Sequence, residues 1–141
     1  MTSDQIVTGI LSYGMSGRVF HAPFIEVNPH FQLRAIVERS SKTAQDRYPE
    51  IISYDSVDEL LADPEIELVI VNTPNDTHVP FAEMALKAGK HVLIEKPFAP
   101  NAFEALHLFQ VAQDVDKLIL PFHNRRFDSD FLALKEVIEE N

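Results

Sequence analysis

The sequence predicts an α/β fold, a doubly wound parallel sheet forming a single domain. Three observations carry that prediction. Short apolar runs alternate with helical patterns along the chain, which implies parallel βαβ units. The runs, Leu68-Val69-Ile70-Val71 above all, are continuously apolar, as in strands covered on both faces. A further run, His91-Val92-Leu93-Ile94, stops on Glu95-Lys96-Pro97, and ligands of open α/β sheets bind in the crevice beyond the carboxyl ends of strands.

The first strand is expected over residues 5–11, where Ile6, Val7, Ile10 and Leu11 are apolar. Gly14 and Gly17 punctuate the turn into a helix that starts near Arg18 and is broken or bent by Pro23. Residues 33–37 form the second strand. Ser40 or Ser41 is expected to cap a short helix ending before Pro49. Residues 51–54 read as a short third strand, and Ser56-Val57-Asp58-Glu59 as a capping box opening a helix that ends at Asp63-Pro64. The fourth strand, residues 68–71, is ended by Thr73-Pro74-Asn75-Asp76. A helix then runs from near His78 to Lys87, with Ala82, Ala85 and Leu86 at helical spacing and Gly89 as its stop. Residues 92–94 are the fifth strand. Asn101 caps the next helix, with Glu104 at the capping-box position and an expected apolar stripe of Phe103, Leu106, Phe109 and Val111 or Ala112. Residues 118–122 are the sixth strand. Residues 128–139 read as a last helix with Phe131, Leu134, Val137 and Ile138 on one side.

Composition narrows the function classes. A domain of 141 residues is large enough to bury about 68–70% of its unfolded surface. The formal net charge of −10 argues against nucleic acid or an anionic membrane as partner. No apolar run approaches the ~20 residues of a membrane span, and Met1-Thr2-Ser3-Asp4 lacks a basic signal region. The absence of cysteine excludes disulfides and thiolate metal sites and fits a cytoplasmic protein. The histidines are dispersed, and no metal site is expected.

The loop Ser12-Tyr13-Gly14-Met15-Ser16-Gly17 follows a strand and opens a helix, the context in which backbone amides and a helix N-terminus hold a pyrophosphate. It departs from G-x-G-x-x-G at Ser12, so a plain strand-to-helix turn stands beside the dinucleotide reading. Glu38 ends the second strand where an acid would bind the adenosine ribose hydroxyls. Arg39 follows it and would instead meet a 2′-phosphate, helped by Ser40, Ser41 and Lys42. Glu38 leans the expectation to NAD, and Arg39 keeps NADP open; a solvated charged turn is the third possibility. Lys96 reads either as a reactive-site ammonium or as a solvated lysine at a strand end.

Four segments together resemble the cofactor-binding half of the glucose–fructose oxidoreductase/inositol dehydrogenase (Gfo/Idh/MocA) family. They are Tyr13-Gly14-x-x-Gly17-Arg18-x-Phe20-His21-Ala22-Pro23, Thr73-Pro74-Asn75-Asp76-Thr77-His78, Ala88-Gly89-Lys90-His91-Val92-x-x-Glu95-Lys96-Pro97 and His123-Asn124-Arg125-Arg126-Phe127-Asp128-Ser129-Asp130-Phe131. The first and last are similar to the branch containing scyllo-inositol dehydrogenases. The resemblance implies a Rossmann-type domain and hydride exchange between NAD or NADP and a hydroxyl of a sugar or cyclic polyol. It implies that Lys96 is the catalytic lysine beside the reacting hydroxyl, often preceding a cis proline bond. Glu95 would face the cofactor ribose or hold the strand end. Ser12, Tyr13, Gly14, Met15 and Gly17 become the pyrophosphate loop, and Thr73, Pro74, Asn75 and His78 the loop beside the nicotinamide. For His78 a structural bond to backbone remains the alternative. Asn124 and Arg125 become cleft residues, with ion pairing the alternative for Arg125 and Arg126.

Family members continue into a second α+β domain that supplies the usual subunit interface and a catalytic His with a nearby Asp. The resemblance therefore implies that residues 1–122 are the nucleotide-binding domain and that residues 123–141 begin the connection to that second domain. It implies a homo-oligomeric enzyme acting on a small polyol or sugar. His21, His91 and His123 are candidate bases only if this half is active by itself, and structural roles are the alternative for each. A non-catalytic dinucleotide sensor on the same fold is the alternative function.

Overall fold

The computed structural model describes residues 5–140; Met1–Asp4, read above as lacking a basic leader, and Asn141 lie outside the described residues. Six strands form one parallel sheet: β1 (Ile6–Ile10), β2 (Phe31–Val37), β3 (Ile52–Tyr54), β4 (Leu68–Val71), β5 (His91–Ile94) and β6 (Ile119–Pro121). Their order is β3-β2-β1-β4-β5-β6. The chain winds outward from β1 in one direction, then returns to pair β4 on the other side of β1. The topological switch point, where dinucleotides bind in such sheets, thus lies between β1 and β4.

Both faces of the sheet are covered, which explains the continuous apolar runs. Successive strand residues point to opposite faces. Val69 and Val71 accordingly join one core cluster with Leu60, Leu86 and Leu108 from α2 (Val57–Ala62), α3 (His78–Lys87) and α4 (Ala102–Asp114). Ile70 joins the other, with Ile10, Ile36 and Ile25 of α1 (Ala22–Val27). Helix ends follow local chemistry. Ser56 Oγ accepts the Glu59 N–H at 3.2 Å, Asn101 Oδ1 accepts the Glu104 N–H at 3.0 Å, and Gly89 ends α3 with φ of +77°.

Two expectations are corrected, the helix cap at Ser40 or Ser41 and the buried stripe of α4. The segment after the glycine loop is helical as expected and changes character beside Pro23: a π-helical turn, Gly17–His21, runs directly into α1, with Pro23 in the first turn of α1, where a missing N–H costs nothing. Ser40 and Ser41 cap no helix. A single 3₁₀ turn, Ala44–Asp46, stands there, and its entry is held by Glu38, whose Oε1 accepts the Thr43 and Ala44 N–H groups. On α4 the aromatic and leucine part of the expected stripe faces outward, with Phe103 81% exposed and Leu106 69%, whereas Leu108, outside that stripe, and Ala112, within it, are buried. Phe109 stacks on Phe98, with ring centroids 5.2 Å apart. The expected last helix is present as α5 (Ser129–Glu139), and Phe131, Leu134, Val137 and Ile138 lie on its surface.

Candidate dinucleotide and substrate cleft

The glycine loop is built by two different constraints. An added Cβ on Gly17 would overlap the Ser12 carbonyl and lie 3.1 Å from Asn72 Nδ2, so glycine is required there by the fold. A Cβ on Gly14 would meet nothing nearer than Ser12 Oγ at 3.4 Å, so the protein itself leaves that space open. Ser12 replaces the first glycine of the motif and serves the turn, its Oγ accepting the Gly14 N–H at 3.2 Å. Asn72, one residue beyond β4, clamps the loop across the switch point. Its Nδ2 donates to the Ser12 carbonyl at 2.8 Å and to Ser16 Oγ at 3.1 Å. Pattern reading began the β4 loop at Thr73 and missed Asn72; a polar amide directly after an apolar strand was the available signal.

Two adjoining hollows run along the carboxyl ends of the strands and share Thr73. The first, about 590 Å³, gathers Ser12, Tyr13, Gly14, Glu38, Arg39 and Pro74. The second, about 630 Å³, gathers Met15, Asn75, His78, Glu95, Lys96, Asn124 and Arg125. The candidates thus converge on one continuous edge, except Gly17, which lies under the loop.

Several of these side chains are engaged with the protein itself. Glu38 is 5% exposed and its carboxylate accepts three hydrogen bonds from the chain: besides the Thr43 and Ala44 amides at Oε1, Ser53 Oγ donates to Oε2 at 2.8 Å. Arg39 beside it is exposed and has no side-chain partner among the described residues. Lys42 turns away, its Nζ 2.7 Å from Asp55 Oδ1 and 3.1 Å from the Ser53 carbonyl. His78 is buried, with Nδ1 2.8 Å from the Pro97 carbonyl and Nε2 2.9 Å from the Thr73 carbonyl. It ties the loop after β4 to the loop after β5, the structural alternative raised above. Arg125 pairs with Asp128 Oδ2 at 2.8 Å, and that carboxylate raises the guanidinium pKa.

At the end of β5, Lys96 is exposed and its Nζ has no hydrogen-bond or ion-pair partner among the described residues. The Lys96–Pro97 bond is cis. Glu95 Oε2 accepts the Lys96 N–H at 3.2 Å, and Oε1 lies 2.9 Å from Nε2 of the buried His21. Of the other histidines considered, His91 lies at the start of β5 and its Nδ1 accepts the Leu118 N–H, a structural role, while His123 is exposed in the cleft.

Comparison with known proteins agrees with this architecture. A family model described as the oxidoreductase family, NAD-binding Rossmann fold, matches residues 6–123. An uncharacterised oxidoreductase of Schizosaccharomyces pombe is 44% identical over 95% of the chain and 38% of its own length. The scyllo-inositol 2-dehydrogenase (NADP⁺) IolW of Bacillus subtilis is 39% identical over 97% of the chain and 38% of its own length. A crystal structure of an NAD-binding protein from Listeria innocua superposes with a TM-score of 0.88 at 31% identity, over 96% of this chain and 40% of that one. The chain spans about two fifths of the length of these relatives. Strand order, glycine loop and matched span agree: the chain belongs to the Gfo/Idh/MocA oxidoreductase family, and its fold is that family's NAD-binding Rossmann domain.

Proposed function

We propose that this domain binds a nicotinamide dinucleotide along the joined hollows and serves hydride exchange with a hydroxyl of a sugar or cyclic polyol. The observation that carries the reading is an unpartnered Lys96 ammonium in the same cleft line as an open glycine loop. The residues fit the group: the space above Gly14 suits the close approach of a pyrophosphate, and the loop opens a helical segment whose amides favour anions. When bound, the nicotinamide supplies the hydride acceptor or donor. Lys96 places positive charge where the substrate oxygen gains negative charge, which lowers the barrier when the charge is preorganised. Thr73, Asn75 and Met15 line the same hollow.

Within this reading the cofactor is NADP. The leaning to NAD rested on Glu38, but a buried carboxylate holding Thr43, Ala44 and Ser53 is poorly disposed to receive ribose hydroxyls. The same bonds shape the loop that presents Arg39 with Ser40 and Ser41 beside the first hollow, a set suited to a phosphate. The name of the Bacillus subtilis relative points the same way.

In the complete protein we place a second domain after about residue 122, subunit association through it, and a cytoplasmic setting consistent with the absence of cysteine. No helix among the described residues is long and apolar enough to cross a membrane. Fluorescence titration with NADH and NADPH tests the proposal. NADPH binds more tightly, and Arg39→Ala weakens NADPH by about tenfold, the scale of one charged hydrogen bond, with little effect on NADH. Absence of binding of either dinucleotide would remove the proposal, and tighter NADH would restore the NAD reading.

A further inference from the structure

One group behind the cleft wall has no task in the reading above. His21, 3% exposed, ends the π-helical turn Gly17–His21, and its ring lies against Phe122 with centroids 4.6 Å apart. π-helical turns are rare and cluster at functional sites. Burial pushes the imidazole below its usual pKa, opposed by the hydrogen bond and charge of Glu95, so near neutral pH the ring is neutral. A carboxylate only accepts, so Nε2 carries the proton and donates it to Glu95 Oε1 at 2.9 Å. The other oxygen of Glu95 accepts the Lys96 backbone N–H at 3.2 Å. Both carboxylate oxygens are therefore engaged, and neither engages Lys96 Nζ, although Glu95 and Lys96 are neighbours lining the same cleft. Both side chains line the same hollow, and a carboxylate freed from His21 is attracted to the neighbouring ammonium.

We propose that His21 is a positioning residue that holds the Glu95 carboxylate off Lys96, so that the ammonium remains free for an oxygen of the substrate. The inference rests on the reading of Lys96 as the charged group of the cleft. It assigns the GRVFH turn a role in the site: it carries a hydrogen-bond donor 74 positions away in sequence to the end of β5.

Residue-by-residue acetylation of the protein's lysines, read by peptide mass spectrometry, tests this without any dinucleotide. A failure of NADPH to bind and a failure of this proposal are therefore separate results. Lys96 reacts as a free lysine, and Glu95→Gln leaves its rate unchanged. His21→Phe, folded by circular dichroism, slows it about threefold, the scale of one exposed ion pair. Adding Glu95→Gln to His21→Phe restores the rate. His21→Gln, whose amide offers a donor near the position of Nε2, keeps the wild-type rate. If His21→Phe does not fold, His21→Asn, too short to reach Glu95, replaces it. A wild-type Lys96 rate in the folded donor-free variant overturns the proposal. So does faster labelling of Lys96 in Glu95→Gln alone, because Glu95 would then already pair with it.

Discussion

Two glycines three positions apart differ in what surrounds them. Gly17→Ala forces a methyl into the Ser12 carbonyl and costs roughly 1–3 kcal/mol of stability, as overpacking of a fixed backbone does. At Gly14 an added Cβ meets only Ser12 Oγ, at 3.4 Å, so the urea midpoint of Gly14→Leu should stay near wild type while dinucleotide affinity falls sharply in titration. Equal stability losses in the two variants would contradict this division. Lys96→Met touches no protein partner, so stability changes by less than about 0.5 kcal/mol and dinucleotide affinity is nearly unchanged. In the complete enzyme kcat and kcat/KM should fall together, the mark of an interaction made in the transition state. Early melting with normal turnover per folded molecule would make Lys96 structural. The positions of these residues in the fold were legible in the sequence because they depend on local features: a turn, a strand end, a charge before a proline. Glu38 was legible as a position but not in its task, because its hydrogen-bond donors lie on Thr43, Ala44 and Ser53 and compete with any ligand.

At the scale of elements, α2, β2 and β3 are tied by one carboxylate. Burial of Asp63 favours its neutral form, but hydrogen bonds from Arg34 Nε, the Glu65 amide and the Tyr54 hydroxyl outweigh burial and hold its pKa below the ordinary 3.8. A depressed carboxyl contributes stability above its unfolded pKa and loses it as pH falls through the folded value. Urea midpoints should therefore decline as pH drops below about 4, and Asp63→Asn should flatten that part of the curve while lowering the neutral-pH midpoint. An unchanged acid slope in Asp63→Asn would assign the acid sensitivity elsewhere. On α4, Leu108→Ala should cost about 2–5 kcal/mol and Phe103→Ser less than about 0.5. The amphipathic pattern of α4 is ambiguous in sequence because both stripes repeat at helical spacing. Only the neighbours decide, and they accept Leu108 and Ala112 while leaving Phe103 outside.

At the scale of the molecule, the sheet is well covered near its centre and thinly covered beyond β6. Val69, Ile70 and Val71 are at most 2% exposed, whereas Leu120 is 53% exposed and Phe127 81%. Amide hydrogen exchange should therefore be slowest in β1 and β4 and fast in α5, which buries no side chain. Protection of α5 equal to that of β4 would show it docked. The apolar side of α5 and the neighbouring Phe127 should also promote self-association at high concentration, visible by sedimentation and relieved by Leu134→Glu. The sequence by itself determined the class of fold, the order of its elements, most helix caps and the strand ends that carry the cleft. Each of these depends on periodicity or on residues within a few positions of one another. The tertiary structure alone decided which helix stripe is buried, that Glu38 braces a loop, that His78 straps two loops together, and that Asn72 and His21 reach the site. Those outcomes depend on contacts between distant segments, such as Asn72 with Ser12 and His21 with Glu95, whose partners exist only after the sheet has been assembled.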